Sequence, residues 1–236
     1  MVLRGIGRNR RRSLSTVVGV TMALVLILAS WGLIDTTKQL LSDQFEKIQP
    51  LDATVVFAEA VTDGRLAEIR AVEGVDRVER SESLAVSVRS EGGGYSTRLS
   101  GFEAGTVMHG FPEGSLERDG VLLGSALKTE LGLTEGEDVT LAFPDLHTQI
   151  VAPVAGFVEE PLGTFAYMRS DLLVGVLAAA DPSVSAARLE SPDSSVALVR
   201  FVDGADRAAV IGRLEALGAV ASVSDARVLY LSLIHI

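Results

Sequence analysis

Between Ser13 and Ile34 the sequence reads SLSTVVGVTMALVLILASWGLI, 22 consecutive residues without a formal charge. As an α-helix rising about 1.5 Å per residue this stretch is about 33 Å long, against a bilayer hydrocarbon core of about 30 Å. Four arginines, Arg8, Arg10, Arg11 and Arg12, run up to it, and Asp35 follows. Trp31 lies near the far end, where interfacial aromatics gather. The positive-inside rule puts Arg8, Arg10, Arg11 and Arg12 in the cytoplasm and everything after residue 34 outside.

A cleaved export signal is the competing reading, because residues 1–12 are basic and LAS at 28–30 has small residues suited to cleavage. The apolar run goes on through Trp31, Leu33 and Ile34, beyond the usual h-region of about 7–15 residues, and this favours a retained helix. The next segment, DTTKQLLSDQFEKIQP, places Leu40, Leu41, Phe45 and Ile48 near one stripe at helical spacing before Pro50 stops the pattern. The spacing predicts a stalk over 35–50 that continues the membrane helix, about 55 Å in all from Ser13 to Gln49.

Charge is divided unevenly. Residues 1–34 hold five of the 21 basic groups and none of the 31 acidic ones, so the remaining chain carries a net charge of −15. An acidic body disfavours nucleic acid as a partner. Without cysteine there are no disulfides, thiol nucleophiles or thiolate metal sites. His109, His147 and His235 show no metal-ligand spacing.

The outer part contains an internal repeat. ATVVFAEAVTDGRLAEIRAVEGVDRVERS and ALVRFVDGADRAAVIGRLEALGAVASVSD each read as strand, Asp/Gly turn, amphipathic helix and strand. Leu66, Ile69, Val72, Val75 and Val78 match Ile211, Leu214, Leu217, Val220 and Val223 at a constant offset of 145. Gly74 and Gly218 are placed to end the two helices. Two such units predict a split, ferredoxin-like β-α-β sandwich with both helices on one face. Between them, LAVSVRSEGGGYSTRLSGFE predicts a hairpin, SALKTEL a short helix ended by Gly132, and VTLAF a strand. HTQIVAPVAGFVEE reads as a strand pair or one strand bent near Pro153. The stretch 178–195, rich in Ala, Ser and Pro, is the linker candidate.

No catalytic, cofactor or metal constellation is apparent. Glu159 and Glu160 are a carboxylate pair, but adjacent residues diverge and a solvated loop is the simpler reading. Ser125 and Lys128 have the S-x-x-K spacing of acyl enzymes without its supporting elements, and a serine near a helix start accounts for them. EGGG lacks the Lys and Ser/Thr of a phosphate loop, and H-E-x-x-H is absent.

In this order, LRGIGRNRRRSLSTVVGVTMALVLILASWGLID, the segment DGVLLGSALKTELGLTEGEDVTLAF with VAGFVEEP, and the split α+β repeat resemble the N-terminal part of a MacB/FtsX-type ABC transporter permease. The resemblance implies an α+β fold. Residues 1–12 are then a basic cytoplasmic N-terminus, 13–34 a transmembrane helix and 35–50 a stalk. Residues 51–90 and 196–230 form the halves of a porter-like domain, and 91–195 a β-rich, sabre-like insertion. It further implies a bacterial inner-membrane permease subunit, not itself an enzyme. Its expected partners are a cytoplasmic ABC ATPase, a second permease subunit in a homo- or heterodimer, and a periplasmic adaptor or substrate protein. LSLIHI at 231–236 reads like a translated transposon-type sequencing adapter, so a truncated coding sequence is expected and His235 is given no role. A single-pass anchored binding or assembly protein is the alternative, and a secreted enzyme a more distant one.

Overall fold

The computed structural model describes residues 10–42, 48–160, 163–181 and 195–228, in two units, Met1–Ser42 and Asp43–Ile236. With no proline and no charge between Ser13 and Ile34, nothing interrupts the helical ladder. α1 runs unbroken over Arg10–Ser42, 33 residues. Three of its hydroxyls bond within the helix: Ser30, Thr36 and Thr37 donate to the carbonyls of Leu26, Gly32 and Leu33 at 2.8, 2.8 and 2.9 Å. The helix therefore extends past the apolar stretch through Asp35. Phe45 and the adapter-like residues 231–236 lie outside the described residues, while Gln49 and Pro50 are irregular.

In the second unit the elements follow in chain order. They are β1 (Ala53–Phe57), α2 (Asp63–Arg70), β2 (Val75–Ser90), β3 (Gly93–Phe102), β4 (Val121–Gly124) and α3 (Ser125–Glu130). After these come β5 (Asp138–Phe143), β6 (Thr148–Val158), β7 (Ala166–Arg169), α4 (Ser170–Ala180), β8 (Ser195–Phe201), α5 (Arg207–Glu215) and β9 (Val220–Asp225). The linker candidate is only partly described: its first residues belong to α4, and 182–194 lie outside the described residues.

The two repeats interleave. Their strands lie in the order β9-β1-β8-β2, with every neighbour antiparallel. Thr62 caps α2 by accepting from Arg65 N, and Asp206 caps α5 by accepting from Ala209 N. Alternation along the strands sends Ala53, Val55 and Phe57, with Ala197, Val199 and Phe201, into one core against Leu66, Ile69, Val210 and Leu214. Helices α2 and α5 thus cover the same face. The matched glycines differ. Gly74 has φ +96°, and a Cβ there would stand 2.5 Å from Val210 Cγ2. Gly218 has ordinary φ and open space around it.

The second half of β2 belongs to a ring. β2 pairs with β3, β3 with β7, β7 with β4, β4 with β6, β6 with β5, and β5 again with β2. Each strand has a neighbour on both sides, so the six close into a small barrel that leaves no free edge. Leu84, Val86 and Val88 of β2, Val139, Leu141 and Phe143 of β5, and Ile150, Ala152 and Val154 of β6 share its core with Leu127 of α3 and Leu173 and Leu177 of α4. β6 is one strand, and Pro153 marks where pairing passes from β5 to β4.

β2 is 16 residues long. It pairs with β8 over Val75–Glu82 and with β3 over Ser83–Ser90, so one strand passes from the open sheet into the barrel. Buried polar residues mark that crossing. The Ser81 hydroxyl donates to the Gly101 carbonyl at 2.8 Å, and Ser170 Oγ donates to Glu82 Oε2 at 2.5 Å. Gly101 is required by close approach, because a Cβ there would stand 2.3 Å from Glu82 Oε2.

Candidate functional site

α1 is one candidate. Residues Leu14–Ser42 are long and apolar enough to cross a membrane, with none of the apolar window buried. Leu14, Leu26, Trp31 and Leu33 are each 65–70% exposed, which a helix in water does not tolerate and a helix in lipid does. Arg10, Arg11 and Arg12 are its first three residues and Leu40 and Leu41 lie near its end. Arg8 and Phe45 lie outside the described residues.

Ile48 leads into the second unit. Its carbonyl accepts from Gly110 N at 2.7 Å. Gly110 sits in the connection 103–120 between β3 and β4, which has no strand or helix of its own. Nearby, Leu51 joins a cluster with Phe102, Met108, Leu122 and Tyr167 from the barrel side and Leu198 from β8. The segment after Ile48 therefore touches both the barrel and the open sheet.

Beneath that connection lies a buried polar group. Tyr167 OH donates to Glu160 Oε1 at 2.5 Å, and His109 Nε2 is 3.1 Å from the same oxygen. The His109 and Glu160 side chains are 1% and 2% exposed. His109 stacks on Phe111 at 4.0 Å between ring centroids, with Phe102 and Tyr167 tilted around it at 5.4 and 4.8 Å. Burial, then the charge and the hydrogen bond of Glu160, push the Tyr167 phenol far above its usual range. Through Glu160 these bonds fasten the 103–120 connection to β7. Here the sequence expectation for Glu160 fails. It is not a solvated loop carboxylate: β7 and the aromatic connection close over it. His109 was equally hidden, because 51 residues separate it from Glu160.

A second polar node joins the start of β1 to the end of β9. Arg207 contacts Asp52 Oδ1 through Nη1. Its Nη2 donates to Asp225 Oδ1 at 2.7 Å and to the Asp52 carbonyl at 3.0 Å. Phe201 N donates to Asp52 Oδ2 at 2.8 Å, and the Arg207 guanidinium lies 5.1 Å from the Phe201 ring centre. Burial opposes the Arg207 charge, but its bonds to Asp225 and Asp52 outweigh that and raise its pKa. The motif candidates dissolve: Ser125 is the first residue of α3 and makes no side-chain cap bond, while Lys128 Nζ lies 5.4 Å from the Phe157 ring centre. Among the described residues no group of three or more His, Asp or Glu is placed to hold a metal.

The family model for the MacB-like periplasmic core domain matches residues 13–217. Among solved structures, the chain is similar to the extracellular domain of the noncanonical ABC-type transporter YknZ from Gram-positive bacteria. That match has 14% identity, covers 74% of this chain and 98% of that one, and has a TM-score of 0.44. It is also similar to the periplasmic region of MacB from Actinobacillus actinomycetemcomitans, with 12% identity, 83% and 98% covered, and a TM-score of 0.45. No curated protein matches the chain. The family match and the apolar α1 together describe a membrane-anchored protein with an extracytoplasmic domain. The chain belongs to the MacB-like periplasmic core domain family, found in ABC transporter permeases of the MacB/FtsX type.

Proposed function

We propose that this chain is a permease subunit whose extracytoplasmic domain is moved from the membrane side and does mechanical rather than chemical work. Residues 13–34 are the first span across a bacterial inner membrane, with the N-terminus and Arg8, Arg10, Arg11 and Arg12 in the cytoplasm. Residues 35–50 form a stalk, with Leu40, Leu41, Phe45 and Ile48 as its apolar stripe. Residues 51–90 and 196–230 are a porter-like, ferredoxin-like module, a reading supported by the strand order β9-β1-β8-β2 with α2 and α5 on one face. Residues 91–195 are the sabre-like insertion, a reading the barrel supports, with residues 83–90 of β2 reaching into it from the porter-like half. A cytoplasmic ABC ATPase supplies the energy and a second permease subunit completes the membrane part. A periplasmic adaptor or substrate protein receives the motion.

One observation carries this reading. The Ile48 carbonyl bonds to Gly110, and Leu51 packs among barrel and sheet residues. A displacement arriving along the chain at Ile48 would load both parts of the domain at once.

The chain has no native cysteine, so Val151→Cys and Val202→Cys, both at exposed positions, accept spin labels cleanly. In a complex purified with its cytoplasmic ABC ATPase, ATP should change the distance distribution between the labels. Leu40→Pro should abolish that change while hydrolysis continues, because proline breaks the helix there. Failure of any ATPase to co-purify, or an unchanged distance in the wild type, would sink the proposal.

A further inference from the structure

The chain comes into the open sheet at Asp52, just before β1, and leaves it at Asp225, the last residue of the neighbouring β9. Ala53 is the register partner of Asp225, and Ala226 N donates to the Asp52 carbonyl at 3.0 Å. β9 is the edge of this sheet. It pairs with β1 and, among the described residues, with no strand on its other side. Its own burial is slight: Ala221, Ser222 and Ser224 are exposed, and Val220 and Val223 only partly covered. An edge strand so lightly packed is held by its ladder and by whatever fixes its end.

Arg207 fixes that end. From the first turn of α5 its guanidinium spans Asp52 and Asp225, which are 25% and 14% exposed. Two carboxylates on one planar fork, partly shielded from water, make a stronger and more directional bond than a surface pair. The same oxygen, Asp225 Oδ1, also accepts from Arg227 N at 2.8 Å. The other repeat holds a weaker, reversed form of this contact. At the offset of 145 the counterpart of Asp225 is Arg80, which pairs at 3.0 Å with Asp63, the first residue of α2 as Arg207 is of α5, and Asp63 is 99% exposed. In the repeat that ends the sheet the arginine sits on the helix and joins two part-buried carboxylates.

We propose that Arg207 is the clasp of a latch. It fastens the entry of the chain into the extracytoplasmic domain to its exit, so that the two move together, and β9 is the element released when the clasp opens. The latch needs no ATPase; it belongs to the domain whatever drives it.

Hydrogen exchange read by mass spectrometry on the full chain in detergent micelles tests this. In Arg207→Met, amides of β9 and of Ala226 should exchange at least tenfold faster, while barrel peptides from β2 (84–89) and β5 (139–143) keep wild-type rates. Asp225→Asn added to Arg207→Met should change those rates by less than twofold, since both remove the same bond. Arg207→Lys keeps the charge but not the fork, and should give an intermediate acceleration. Should Arg207→Met not fold, that lysine variant alone decides. Acceleration shared equally by the barrel would make Arg207 a general stabiliser and overturn the latch. So would wild-type rates in β9 of Arg207→Lys.

Discussion

The Tyr167 hydroxyl can be removed without disturbing the packing around it. In Tyr167→Phe the ring keeps its neighbours Phe102, His109 and Phe111 at 6.0, 4.8 and 5.2 Å, and only the 2.5 Å bond to Glu160 is lost. Glu160 is 2% exposed. Leaving a buried polar group short of a donor costs about 1–3 kcal/mol. For a domain of this size that is a fall in Tm of about 2–12 °C. The measurement is thermal unfolding of the full chain in detergent, followed by far-ultraviolet circular dichroism, because the single tryptophan, Trp31, lies in α1. The alkaline limb supplies a second sign. Tyr167 has its folded pKa raised, by burial first and by Glu160 second. Its contribution is therefore complete below the unfolded value of about 10 and is lost as pH rises beyond it. At pH 11 the unfolded wild type gains about 1.4 kcal/mol from releasing that proton, which the phenylalanine variant does not. The gap between the two proteins should narrow by that amount between pH 8 and 11. An equal Tm for the variant at pH 8, or a gap that widens with pH, would refute a buried Tyr167–Glu160 bond.

The paired glycines give a contrast within one molecule. Gly74→Ala should cost about 2–4 kcal/mol, from a left-handed backbone and a contact with Val210, whereas Gly218→Ala, with free space and ordinary φ, should be neutral or slightly stabilising in the same melt. In the barrel, Phe143→Ala should lose about 3–5 kcal/mol in urea unfolding, because the side chain is 1% exposed among Val139, Leu141 and Ile150.

Much of the fold was legible because local patterns coincide with tertiary ones. Leu66 and Ile69, read as one helix face, do pack into the open-sheet core, and so does Leu214 at the same position in the second repeat. Ile211 is only partly buried and Val210 takes the inner place, because a strict three-residue spacing drifts around a helix of 3.6 residues per turn. The hairpin at EGGG is the β2–β3 turn, and SALKTEL contains α3. Closure of the barrel left no trace in any single segment. Its ring depends on parallel contacts between β3 and β7 and between β4 and β6, strands far apart in the chain. Alternation tells which side of a strand is buried but not which strand lies beside it.

By itself, then, the sequence determined the elements governed by near neighbours. An uncharged run of 22 residues must find an apolar medium, and a repeated strand-helix-strand pattern must bury one face of each helix. Tertiary structure alone decided where charge could be hidden. Glu160 meets His109 and Tyr167, and Arg207 meets Asp52 and Asp225, across 51 and 155 residues at the widest. A lone carboxylate or guanidinium reads as a solvated side chain in sequence, since burying it unpaired is costly. It becomes a fastening only when the fold delivers its partner.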